Sequence, residues 1–187
     1  MRAQATSTAL VREWVSERSI GTDVGLVIAF SLLTGLLAHL VIPLPFTPVP
    51  VTGQTFGVLL TGAVLGSRLG IATMLAYIVE GTAGLPVFAA GTHGPATYGY
   101  LAGFVLAAFV VGWLVERGWD RDLPRLVAAM LVGEVAIYLF GLLWLARFVP
   151  ISQLLALGFF PFLLGDAVKL VAAVIAVGGG RRLARGG

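Results

Sequence analysis

The sequence has no cysteine, which excludes disulfides, thiolate nucleophiles and zinc sites built on sulfur. It is also poor in charge, at 11% Asp, Glu, Lys and Arg, where an ordinary soluble domain carries about 25%. Lysine occurs once, as Lys169, followed by Leu170 inside an apolar run. A phosphate-binding G-x-x-x-x-G-K-[ST] loop is therefore excluded, and ATP-driven work has to come from another chain. The two histidines, His39 and His93, are too few for a metal site, and neither an H-E-x-x-H motif nor a Ser-His-Asp spacing occurs, so neither a metal nor catalysis is expected. Basic runs interleaved with aromatics, as a nucleic-acid surface needs, are missing. The first twenty residues hold three arginines and two glutamates without a long apolar core. They do not read as a cleavable signal and are expected to form an amphipathic arm.

What is present is hydrophobicity, at 58% of the chain. Apolar runs bounded by Pro, Gly and Arg predict spans near 24–42, 53–67, 69–84, 97–116, 126–148 and 161–180. The expected fold is an all-α integral membrane protein of six transmembrane helices. It is one domain over 1–187, with the arm at 1–20, the core at 21–180 and a basic tail at 181–187. The second and third spans are short against the roughly 20 residues that cross a bilayer, and such spans are tolerated where they face protein or a cavity. Charge predicts the orientation. With both termini cytoplasmic, ten arginines (2, 12, 18, 68, 117, 121, 125, 181, 182 and 185) lie inside and only Arg147 outside, as the positive-inside rule requires.

Small residues recur four apart at Gly25 and Ala29, Ser31 and Gly35, Gly62 and Gly66, Gly66 and Gly70, and Gly99 and Gly103. This spacing lets helix backbones approach closely. It serves either internal packing or a face, centred on Ala29, Ser31 and Gly35, that docks a second membrane protein.

Two outer segments stand out. The first, "IPLPFTPVPVTGQTF", has prolines at 43, 45, 48 and 50, which fix φ and stiffen it as a lid would require. The second, "EGTAGLPVFAAGTHGPATYGYLAGF", interleaves glycines with Phe88, Tyr98, Tyr100 and Phe104 and suits a binding loop or a mere connector. Four ionisable residues fall within spans: Glu80, Glu134, Asp166 and Lys169. A charge at a helix centre costs about 2.5–3.5 kcal/mol on insertion scales. Asp166 and Lys169, at i and i+3, share a helix face and are placed to pair. Together they offer acceptors and donors to a ligand that has both. Glu80 lies close to the outer surface, whereas Glu134 has no partner evident from the sequence.

The stretches "IPLPFTPVPVTGQTFGVLLTGAVLG", "GLPVFAAGTHGPATYGYLAGF" and "PFLLGDAVK", in that order on six predicted helices, resemble the BioY family, the biotin-specific S components of energy-coupling-factor transporters. The resemblance runs over about residues 24–180. It implies a subunit that captures biotin near its outer face for uptake and works with a transmembrane scaffold subunit and two cytosolic ATPases. It carries Asp166, Lys169 and Gln54 over as biotin contacts, and Phe88, Tyr98 and Tyr100 over by location. Glu80 and His93 join them as candidates near the outer loops. The sequence reads "GPATYGYL" where family members commonly have a "GPTGGYL"-like stretch, so for this loop only its place is transferred. The alternatives are an S component for another vitamin, an intramembrane enzyme using Glu80, Asp166 and His93, and a structural membrane scaffold.

Overall fold

The computed structural model describes residues 19–89 and 94–186. The predicted arm, up to residue 18, and His93 lie outside these. Helix α1 (Ile20–Ala38) leads into a two-stranded antiparallel ribbon, β1 (Val41–Ile42) with β2 (Val51–Thr52), in which Val41 pairs with Thr52 and Ile42 with Val51. Next come α2 (Gln54–Thr82), α3 (Tyr98–Glu116), α4 (Leu123–Leu145), the short α5 (Leu154–Gly158) and α6 (Leu163–Gly186).

Helix α2 is two helices. Gly66 sits at φ 84° and ψ −178°, a conformation that side-chain-bearing residues avoid and glycine adopts freely. A straight helix would put Gln54 and Tyr77 about 34 Å apart at 1.5 Å per residue. Instead, Gln54 Nε2 donates to Tyr77 Oη at 2.6 Å. A Cβ added at Gly62 or at Gly70 would meet Ala108 in both cases, while one on Gly112 would meet the backbone of Gly66 and Ser67. The chain therefore descends over 54–65, reverses at Gly66 and climbs back over 67–82. Glu116, at the end of α3, caps the second limb by accepting from Ser67 N at 2.7 Å.

Counting the limbs separately and setting aside the five-residue α5, six helices form the bundle, as the sequence predicts, and their apolar outer surfaces suit lipid. Val135, Leu139 and Leu143 on α4 and Val168, Val171 and Ile175 on α6 are all exposed. The differences from expectation are local. The reversal falls at Gly66 and not at Arg68, because only glycine there supplies the positive φ. The proline-rich segment is closed by a strand pair in an otherwise helical fold. The last span is reached through α5, whose segment is bent by 42° from α6. The tail is a continuation of α6 to Gly186. Helix α4 begins where Asp122 accepts from Arg125 N at 2.9 Å, with Pro124 in the first turn, where a missing N–H costs nothing.

The small-residue pairs resolve into two groups. Gly62, Gly66, Gly70, Gly99 and Gly103 face neighbouring helices of this chain. Gly25 has nothing within 4 Å of an added Cβ, and it and Ala29 are exposed on α1. The predicted docking face is corrected here. Ser31 and Gly35 are buried, because Ser31 Oγ donates to Glu80 Oε1 at 2.7 Å on α2 and a Cβ on Gly35 would lie 2.9 Å from Val87 Cβ. Of the three residues, Ala29 alone faces outward.

Candidate functional site

The two halves of the bundle differ in kind. Toward the Gly66 end, Leu59, Ala63, Val111, Leu126, Met130, Leu170 and Ala173 form an apolar core, and the buried Thr61 hydroxyl is spent on its own helix, donating to Gly57 O at 2.7 Å. Toward the other end lies a cavity with about 710 Å³ of empty space, its open mouth included. Its walls come from the ribbon (Val49, Pro50, Thr52), the start of α2 (Gln54, Thr55), the segment before α3 (Phe88, Ala89, Thr97), α3 (Tyr98, Tyr100, Leu101, Phe104), α4 (Ile137, Tyr138) and the start of α6 with Phe162 (Asp166, Lys169).

The shortness of the first α2 limb explains how polar groups reach this depth. Twelve residues (54–65) span about 18 Å, well short of a hydrocarbon core of about 30 Å. The polar start of the limb, Thr52 to Thr55, is thereby held inside the bundle, and irregular backbone at such depth requires a cavity or protein around it.

A charged cluster sits on one wall. Lys169 Nζ donates to Asp166 Oδ1 at 2.6 Å and to Thr55 Oγ1 at 3.1 Å. The Thr55 hydroxyl donates to the same Oδ1 at 3.1 Å, and Tyr138 Oη donates to Asp166 Oδ2. The side chains of Lys169 and Asp166 are only 16% and 9% exposed. Removing one member of so buried a pair leaves an uncompensated charge and typically costs 3–5 kcal/mol or so. Three of the carboxylate's roughly four acceptor positions are filled, and one ammonium hydrogen is free. The cluster can thus accept one donor from a ligand and give one to an acceptor.

A second polar group completes the set. Gln54 Oε1 accepts from Thr52 Oγ1 at 2.7 Å, and its amide nitrogen, held by Tyr77, retains one hydrogen. Tyr77 in turn donates to Val87 O at 3.1 Å, which ties α2 to the segment carrying Phe88. The Phe88 ring stands edge-on to Tyr77, 5.4 Å between centroids. Tyr100 spends its hydroxyl on Gly158 O at 2.8 Å and so offers the cavity its ring.

Of the residues chosen from sequence, Asp166, Lys169, Gln54, Phe88, Tyr98 and Tyr100 line this one cavity. Glu80 is corrected: it does not line the cavity, because the second limb of α2 packs on α1 at this point and Glu80 accepts from Ser31 there. His39 is a helix cap, its Nδ1 donating to Gly35 O at 2.9 Å. Among the described residues no group of three His, Asp or Glu is placed to hold a metal ion. Sequence reasoning missed Thr55 and Tyr138. The signals were there: Thr55 follows Gln54 at the polar helix start, and Glu134 and Tyr138, four apart, are polar positions on an otherwise apolar helix.

A membrane bundle with one closed apolar end and, at the other, a cavity pairing fixed donors and acceptors with aromatic walls is a small-molecule-binding membrane protein. The BioY family model matches residues 7–186. The chain is 41% identical over 158 residues to "Probable biotin transporter BioY" of Pyrococcus horikoshii, covering 82% of this chain and 92% of the relative. It is 35% identical to "Biotin transporter BioY" of Rhizobium etli, over 77% of this chain and 88% of the relative. Among solved structures, "Crystal structure at 2.1 A of the S-component for biotin from an ECF-type ABC transporter" superposes with a TM-score of 0.77 at 23% identity, covering 88% of this chain and 95% of the other. The chain belongs to the BioY family, and it is a multi-pass membrane protein with the fold of that S component.

Proposed function

We propose that this protein is the biotin-binding S component of an ECF-type importer, taking biotin into the cavity near the outer face. The observation that carries the reading is the Asp166, Lys169, Thr55 and Tyr138 cluster, set beside Gln54 within aromatic walls. Biotin's ureido ring has two N–H donors and one carbonyl, and its chain ends in a carboxylate. Asp166 accepts a ureido N–H, Lys169 donates to the carbonyl or to the carboxylate, and Gln54 gives an amide contact. The four chain methylenes add roughly 0.8 kcal/mol each by leaving water, so orientation falls to the polar groups.

The protein acts as a carrier subunit and not as an enzyme. Energy comes from a transmembrane scaffold and two cytosolic ATPases, which fits a chain whose single lysine lies in this site. The scaffold docks on the outward face of α1 around Gly25 and Ala29, with the arginine-rich end, where Arg68, Arg117, Arg121 and Arg125 gather, in the cytoplasm. Equilibrium binding of labelled biotin to purified protein tests the reading. One biotin held tightly per chain and released unchanged is expected; failure to bind, or chemical conversion of biotin, would overturn it.

A further inference from the structure

Glu134 has no part in the site described above, yet it is only 6% exposed and neither carboxyl oxygen has a hydrogen-bond partner. It does not line the cavity. Helices α4 and α6 run antiparallel, and Tyr138 of α4 meets Asp166 of α6. One turn from Tyr138 toward the closed end is Glu134, and one turn from Asp166 in the same direction is Lys169, so the two come to the same level. The charged groups close enough to act on Glu134 are Asp166 and Lys169. Tyr138 from its own helix and Tyr100 from α3 are the neighbouring phenols around Asp166, and α2 presents the hydroxyl of Thr55 there.

A carboxyl group so buried and without a hydrogen bond is costly as an ion, and such a group in a native protein calls for a reason. We propose that Glu134 is the alternate partner of Lys169. When a ligand N–H takes up Asp166, the ammonium exchanges its hydrogen bond to Asp166 for one to Glu134 while a second of its three hydrogens stays on the ligand, and the proton held by Glu134 leaves to solvent. The exchange frees a second acceptor position on Asp166 for the ligand while both carboxyl groups end with partners. Glu134 is thus a positioning residue, acting on the ligand through Lys169.

The inference rests on biotin being the ligand, and the test separates the two. Calorimetric titration of biotin into the full chain at pH 7.5, in buffers of different ionisation heat, counts protons exchanged; biotin's own carboxyl is ionised throughout. The wild type is expected to release a sizeable fraction of a proton per biotin. Glu134→Gln, similar in shape, is expected to release none and to bind about tenfold more weakly. Should that variant not fold, the wild-type proton count decides alone. Tight binding with no proton release by the wild type, or equal release by Glu134→Gln, overturns the exchange and leaves the biotin reading standing. No biotin binding by the wild type overturns both.

Discussion

The two ends of this bundle are made from the same helices and obey opposite rules. At the Gly66 end, helices meet through glycine, with Gly112 against Gly66 and Gly62 against Ala108, and the interior is aliphatic. At the cavity end Gly99 and Gly103 still bring α3 against α4, but the bundle encloses a space walled by aromatic rings and by hydroxyl, amide, carboxylate and ammonium groups that satisfy one another. Between helices in lipid there is little hydrophobic drive, since acyl chains are as apolar as leucine, so close van der Waals packing has to hold the bundle. The two ends therefore divide the work. The closed end keeps the helices together, which leaves the open end able to commit buried polar groups to a ligand.

The strongest way to break the contrast is to wedge the closed end. Gly112→Leu drives a side chain into the Gly66–Ser67 backbone, where an added Cβ alone already overlaps. Overpacking of a flexible site costs about 1–3 kcal/mol, and rigid backbone on both sides gives more. We expect loss of the monodisperse protein in size-exclusion chromatography and no biotin binding. A folded Gly112→Leu protein that binds normally would show that the closed end is not what holds the bundle.

A milder change sharpens the other side. Tyr138→Phe removes the donor to Asp166 Oδ2 and leaves the ring in place. A hydrogen bond to a charged group contributes about 1.5–3 kcal/mol to the fold, so the melting temperature should fall by a few degrees, and with Asp166 no longer held in place biotin affinity should fall about tenfold. A melting temperature that falls while affinity holds would make Tyr138 a structural residue.

The ribbon segment should affect rates more than equilibrium. Thr47 Oγ1 donates to Leu157 O at 2.6 Å, fastening the proline-rich segment to α5, and Pro48 and Pro50 limit its freedom. Replacing both prolines with glycine should speed biotin release severalfold and slow capture less. Unchanged stopped-flow dissociation would reduce the segment to a connector. The smallest expected effect on affinity is at α1. Gly25→Leu with Ala29→Trp projects into open space and should leave biotin binding as it was while abolishing co-purification with a scaffold subunit. Retained co-purification would place the docking face elsewhere.

The helix count, the cavity end and the Asp166–Lys169 pair were legible because they rest on local signals: apolar run length, arginine placement and an i, i+3 pair of charges. The reversal was read two residues late because Arg68 is a charge signal and Gly66 a backbone one, and only φ tells which residue turns the chain. Glu80, Ser31 and Gly35 were misplaced for a single reason. Their use depends on which way a helix is rotated, and α1 and α2 are apolar on every side, so no periodicity marks the inward face. Tyr138 escaped because its partner is 28 positions away, a distance that sequence spacing does not bridge.

Everything above turns on the buried pair at the open end being where biotin binds. Titration calorimetry of biotin into wild type and Asp166→Asn, each checked for folding by its melting profile, puts that to the test. The substitution keeps the size, removes the charge, and leaves Lys169 without its ion partner, a loss of about 2–5 kcal/mol for a desolvated pair. Binding at least tenfold weaker is expected in a folded variant; a folded Asp166→Asn protein with wild-type affinity would take the pair out of the site.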